Sequence, residues 1–254
     1  MLSYSDRKTL KRDLLDRRRK SLDGATQDAI AHLILELDDP GAMLNIATRY
    51  LGEHLKANRV DAGLSSRKER NYNPTNEYSD ATGELPSMIG AQISNRHLSM
   101  QTIWKSNVPV PFHHVQSNPL LNGLHDALAE AEAVSMIAVS VKVPKKDLAV
   151  LCIDQCDGHR IWTPKETEHI YQFSNTSLAP LLNASRSSAV TKDCLITKAE
   201  LQVVKLAAEG KSYSQIADKL HKSQRTIENQ LRSARKKTGA QNQTDLVRRC
   251  IHWF

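Results

Sequence analysis

Apolar residues recur at helical spacing along most of the chain, interrupted by a few runs that read as strand. Over residues 5–37, Leu10, Leu14, Leu15 and Leu22 sit among Arg7, Lys8, Lys11, Arg12, Arg17, Arg18, Arg19 and Lys20. This predicts a helical, basic N-terminal extension, which Asp38-Asp-Pro-Gly41 ends. Met43, Leu44, Ile46, Ala47, Tyr50, Leu51 and Leu55 mark a second amphipathic helix, and Arg59–Leu64 a short strand. Residues 65–87 are polar, with Asn, Pro, Gly and charge throughout, and predict a mobile loop. Val108-Pro-Val-Pro-Phe112 is extended, because proline steers the residue before it away from helix. A turn over 113–119 and a helix over 120–133 follow. Ser135–Val143 and Leu148–Asp154, joined through Pro144 to Asp147, predict a hairpin within a central antiparallel sheet. Thr163-Pro164, with Glu166 three residues after the cap, opens a helix reaching about Ser187, which Pro180 should kink or interrupt. Residues 188–194 read as a linker.

Beyond it the pattern is purely helical. Leu201, Val204, Leu206 and Ala207 form an amphipathic stripe that stops near Gly210. Ser212 caps a helix carrying Ile216, Ala217 and Leu220, and Ser223 caps another carrying Ile227, Leu231 and Ala234. The second leaves Arg225, Glu228, Asn229, Arg232, Ser233, Arg235 and Lys236 on its outer side. Thr244 caps a last helix with Leu246, Val247, Cys250 and Ile251. Two short helices around a tight turn, the second rich in Arg and amide side chains, describe a helix-turn-helix.

The motifs Leu195-x-Thr197-x-x-Glu200, Val203-Val204, Ala208-x-Gly210-x-Ser212, Ile216-Ala217-x-x-Leu220, Ser223-x-x-Thr226-Ile227 and Lys237-x-Gly239 carry a family resemblance. The segment resembles the DNA-binding domain of LuxR-type (FixJ/NarL-like) transcription regulators. Three positions depart from that pattern: Ala199 where Arg is usual, Glu228 where a basic residue is usual, and Gln230 where His is usual. The resemblance implies phosphate contacts by Ser212, Ser223, Gln224, Arg225, Thr226, Lys236 and Lys237. Glu228, Asn229 and Arg232 would reach base edges; Glu228 either accepts from a cytosine amino group or pairs with Arg232 four residues on.

Charge sharpens this picture. The 254 residues carry a formal charge of +7, and residues 190–254 hold 13 Lys and Arg against 6 Asp and Glu, whereas residues 1–189 hold 22 of each. The excess therefore lies where phosphate contacts are expected. The basic first twenty residues admit a second DNA-touching arm, but a helix whose leucines pack on a partner chain is the preferred reading.

Residues 40–187 resemble a GAF-type sensory domain. The carrying features are the helix ending near Leu55, the strand at Val60, the run from Asn107 to Pro119, the strand pair Met136–Val143 and Ala149–Asp154, and the closing helix opened by Trp162-Thr-Pro-Lys-Glu166. A PAS domain is the close alternative. An acyl-homoserine-lactone pocket would need more spaced Trp, Tyr and Asp residues. A phosphoacceptor receiver would alternate strand and helix from its start. The expected fold is thus an α+β sensor domain with a central antiparallel sheet, followed by an all-α helix-turn-helix domain. The boundaries are 1–39 for the extension, 40–187 for the sensor, 188–194 for the linker and 195–254 for the DNA-binding domain.

A sensor would hold its ligand between sheet and covering elements. The lining candidates are Ile103, Trp104, Phe112, Ile137, Val139, Val141, Cys152 and Trp162, each weighed against a plain core role. Cys152, Cys156, Cys194 and Cys250 have no metal or disulfide spacing. His113, His114 and His159 match no ligand signature, so no metal site is predicted. No nucleophile or phosphate loop accompanies Asp154, Asp157, Glu166 and Glu168, and no enzyme activity is expected. No signal-peptide core or membrane span is read, which places the protein in the cytoplasm. The function expected is a ligand-responsive, dimeric regulator bound to double-stranded DNA, with RNA polymerase as a further partner to consider. The cofactor is unknown beyond a small-molecule signal. The alternative is a constitutive DNA binder whose N-terminal domain only dimerises or recruits a partner protein.

Overall fold

In a computed structural model, residues 4–80, 84–193, 196–238, 240 and 242–250 are described. The chain divides into two compact units, Met1–Arg186 and Ser187–Phe254.

The first unit is built on a five-stranded antiparallel sheet of order β3-β1-β7-β6-β5. Its strands are β1 (Arg59–Leu64), β3 (Asn76–Ser79), β5 (Val110–Phe112), β6 (Ser135–Val143) and β7 (Lys146–Gln155). β2 (Asn71–Tyr72) and β4 (Ile93–Ser94) pair separately. Ile137 lies opposite Ile153 and Val139 opposite Leu151, while Ala138 lies opposite Cys152. Successive residues face opposite sides of a sheet, so these pairs define two faces, and both are covered. On one side Ile137, Val139, Val141, Leu151 and Ile153 meet α2 (Gly24–Leu35), α3 (Pro40–Leu55) and α6 (Pro164–Tyr171) in one core. On the other, Ala138, Val150 and Cys152 meet α4 (Leu98–Lys105), β5 and the segment up to α5 (His125–Glu130) in a second.

Several expectations need correction. The polar loop 65–87 contains β2 and β3, and β3 is an edge strand on β1. The N-terminal helix is not continuous: α1 (Tyr4–Lys11) runs through a wide π turn, Arg12–Asp16, and Asp23 starts α2 by accepting from Thr26 N. Its leucines are not free for a partner chain, because Leu10, Leu14, Leu15 and Leu22 pack on the first core of their own unit. The 120–133 helix shortens to α5, because Gly123 turns the chain with φ +86°. Pro180 does not break its helix. A π-helical stretch, Gln172–Leu178, precedes it, and α7 (Ala179–Asp193) takes in residues 188–193 of the expected linker. A wide turn takes up the missing N–H and ring clash of a helical proline.

The second unit comprises α8 (Lys198–Ala208), α9 (Tyr213–Leu220), α10 (Gln224–Thr238) and α11 (Gln243–Cys250). Their apolar stripes close on Val203, Val204, Ile216, Ala217, Ile227, Leu231, Ala234 and Leu246.

Candidate nucleic-acid interface and a cleft in the first unit

Capping chemistry sets the geometry of the helix-turn-helix. Thr197 with Glu200 and Ser212 with Gln215 form reciprocal capping boxes on α8 and α9. α9 stops at His221, which adopts the left-handed conformation (φ 50°, ψ 48°). Ser223 Oγ then accepts from Thr226 N at 3.1 Å and starts α10. Ile227, Leu231 and Ala234 turn inward, leaving Gln224, Arg225, Thr226, Glu228, Asn229, Arg232 and Lys236 exposed.

Several expected contact residues are occupied within the domain. Lys237 Nζ donates to both carboxylate oxygens of Glu200, at 2.8 and 2.7 Å, tying the end of α10 to the start of α8. Burial alone would raise the Glu200 pKa; hydrogen bonds from Lys237, Ser233 and Thr197 outweigh it and bring the carboxyl to about 2. Lys237 is thus a brace between helices, where a free phosphate contact was expected. Arg232 Nη2 donates to Glu228 Oε1 at 3.1 Å on the exposed side of α10, the i,i+4 pairing foreseen as one option. The oxygens of Ser212 and Ser223 are engaged as caps. Gln230 Oε1 is buried with no hydrogen-bond partner among the described residues. Lys219 is a further exposed cation close to the turn that the sequence reading did not single out.

In the first unit, the eight expected lining residues do not share a cavity. Ile137, Val139, Val141 and Trp162 belong to the helix-covered core, and Ile103, Trp104, Phe112 and Cys152 to the opposite one. Strand alternation separates them. Trp104 is fully buried and its Nε1 donates to Asn95 Oδ1 at 2.9 Å, so its polar atom is satisfied within the protein. Trp162 lies under the Arg160 guanidinium, 4.3 Å from the ring centroid. Burial, then the charges of Asp61 and Asp154, push the Cys152 thiol up; burial also lifts Cys156, to about 11. Neither thiol is activated as a thiolate. Cys194 lies outside the described residues.

A cleft of about 530 Å³ opens elsewhere, between the segment 86–93 and α5, lined by Pro86, Met88, Ile93, Leu124, Ala127 and Glu130 among others. No apolar periodicity marks these residues as a group, so they carry no signal legible in the sequence. Behind the cleft lies a buried polar set. Arg59 is bonded through Nε and Nη2 to Asp154 Oδ2 at 3.0 and 2.7 Å. Its Nη1 donates to the carbonyls of Pro86 and Ala131 at 2.6 and 2.8 Å, joining the two walls of the cleft. Tyr72 Oη donates to Asp61 Oδ1 at 2.5 Å. Burial and the neighbouring Asp154 raise the pKa of Asp61 well above the usual carboxylate range. The exposed His114 and His159 lie with Nδ1 atoms 3.3 Å apart.

A family model described as bacterial regulatory proteins, luxR family, matches residues 195–250. This segment belongs to the luxR family. The match marks this segment as a DNA-binding domain of the helix-turn-helix type found in bacterial regulatory proteins. Its match covers the second unit; the first is placed by its fold. The phycoerythrobilin-bound GAF domain of a cyanobacterial phytochrome is 12% identical with TM-score 0.55, covering 66% of this chain and 100% of that one. A far-red cyanobacteriochrome photoreceptor is 16% identical with TM-score 0.51, covering 66% and 97%. The chromophore-binding domain of a bacteriophytochrome from R. palustris is 9% identical with TM-score 0.53, covering 65% and 61%. At such identities the likeness is one of fold, and the fold ahead of the luxR-family domain is GAF rather than PAS. No curated protein matches the chain. Among the described residues, no helix is long and apolar enough to cross a membrane.

Proposed function

We propose that the chain is a cytoplasmic, dimeric transcription regulator whose GAF-fold unit binds a small molecule and thereby governs operator binding by the luxR-family domain. The observation that carries this reading is the outer face of α10, where Gln224, Arg225, Thr226, Asn229 and Lys236 are exposed while Ile227, Leu231 and Ala234 fix the helix from behind. Arg225, Gln224, Thr226 and Lys236 contact phosphates; Asn229 and Arg232 read bases, Arg232 by leaving Glu228. A single helix-turn-helix reads few bases, so two copies bind a two-fold symmetric site.

The signal occupies the cleft between residues 86–93 and α5, which suits a small, mostly apolar molecule with a few polar groups. Its two walls meet on Arg59, so a ligand that moves either wall acts on β1 and β7 directly. The change then reaches the DNA-binding domain along α7, by altering the freedom of the two recognition helices.

Fluorescence anisotropy of the full chain on duplex DNA tests the first part. Affinity should fall linearly on a log–log plot with salt, with a slope of about −0.9 per phosphate contacted. Binding without salt dependence, or none at all, overturns it. Mass spectrometry of small molecules that co-purify with the protein tests the second. A constitutive regulator would carry no bound molecule and show no metabolite-dependent thermal shift.

A further inference from the structure

Away from both the recognition helix and the cleft, Asp23, His54 and His169 converge from three helices. Asp23 is the N-cap of α2, and His54 and His169 lie in the last turns of α3 and α6. One ligand atom of each lies within 4.8 Å of the others. Two imidazoles and a carboxylate suit Zn²⁺, Ni²⁺ or Cu²⁺, whereas Ca²⁺ and Mg²⁺ prefer an all-oxygen set.

Proton accounting around His169 supports this use. Thr26 Oγ1 donates to Asp23 Oδ2 at 2.7 Å. With that hydrogen committed, Thr26 Oγ1 accepts from Tyr50 Oη, 2.5 Å away. Tyr50 has then spent its one hydrogen, so its oxygen accepts from His169 Nε2–H at 2.8 Å. This order leaves His169 Nδ1 with an unused lone pair. A ligating histidine commonly donates its second nitrogen to an oxygen in this way, which fixes tautomer and ring orientation.

His54 supplies the adjustable ligand. It is exposed and lies parallel to His169, ring centroids 4.1 Å apart and planes 6° apart. Stacked imidazoles aim their lone pairs in parallel planes, so His54 must swing out of the stack to share an ion. An exposed side chain in the final turn of a helix has room to do so. A cleft of about 380 Å³ borders Asp23 and His169 and leaves space for water as a further ligand. Arg18, on its rim, is held by Ser177 Oγ at 3.0 Å.

We propose that Asp23, His54 and His169 bind a divalent transition-metal ion of the Zn²⁺ class. The ion pins α2, α3 and α6 together, and α6 leads through the π-helical stretch into α7.

Zn²⁺ titrated calorimetrically into chelator-treated full-length protein tests the site. One equivalent should bind and raise the thermal midpoint, and Co²⁺ should give a visible absorption band. Asp23→Asn retains the helix cap, since Asn caps as well as Asp, yet weakens binding. His54→Gln, at an exposed position, abolishes the site. Tyr50→Phe lowers affinity by about 10–100-fold. The double variant His114→Gln/His159→Gln binds as wild type. A flat isotherm at millimolar Zn²⁺ overturns the proposal, and so does binding that survives His54→Gln and Asp23→Asn or disappears in the His114/His159 variant.

Discussion

Arg59 has no exposed surface and makes four hydrogen bonds, two of them to Asp154. Replacing it with Met removes those donors and leaves the Asp154 carboxylate buried without its cation. Losing one partner of a buried pair costs about 3–5 kcal/mol, so urea denaturation of Arg59→Met should register a loss of that order. Glu200 makes a milder case with a definite pH signature. Its pKa falls from roughly 4.3 in the unfolded chain to about 2 in the fold. The bond to Lys237 therefore contributes its full stability above the unfolded value and loses it as pH falls toward about 2. Glu200→Gln should be less stable than wild type at neutral pH, and the gap in thermal midpoint should close with acidification across that window. On α10, Arg232→Ala should cost about 1–3 kcal/mol of binding to the preferred site and relax selectivity there. Equal losses on selected and random DNA would remove Arg232 from the base readers.

Among elements, the contact of α3 with β3 leaves little room. A Cβ on Gly52 would lie 2.1 Å from the Tyr78 ring, so Gly52→Ala must displace that ring from its place between α3 and β3. Overpacking of this kind costs about 1–3 kcal/mol, measurable as a lower denaturation midpoint. The same contact marks where sequence reasoning stopped. The helix-turn-helix was legible because caps and apolar stripes are local: Ser212, Ser223, Ile216, Ile227 and Leu231 all act within a few turns of chain. β6 and β7 were legible as strands from composition, but their two covered faces were not, because seven consecutive residues from Ser135 to Val141 are buried. A strand buried on both sides loses the alternation that tells its faces apart, so Ile137 and Cys152 were read as lining one cavity. β3 escaped because Asn76-Glu-Tyr-Ser79 is polar and owes its conformation to pairing with β1. Asp23, His54 and His169 are far apart in sequence, and only the fold brings them together. The Lys237 brace was hidden for the same reason, its partner lying 37 residues away.

At the scale of the molecule, a neutral GAF-fold unit precedes a basic luxR-family domain, and the cleft of the first is where a signal would enter. Ala127→Trp fills that cleft from the exposed side of α5. The variant should keep the fold but lose any ligand-induced rise in thermal midpoint, while DNA affinity without ligand stays unchanged; a retained shift would move the signal site elsewhere. The sheet behind the cleft also has to be assembled in one alignment. Apolar side chains cover both of its faces, so sliding β7 by one position against β1 would still present greasy residues on each side, and hydrophobicity alone gives little preference between neighbouring alignments. Opposite charges supply the preference. In the native pairing Asp154 lies across from Arg59; a one-step slip would carry the carboxylate through the sheet into the helix-covered core and strand the guanidinium alone. The ion pair thus works as a peg and socket that admits a single setting of the strands.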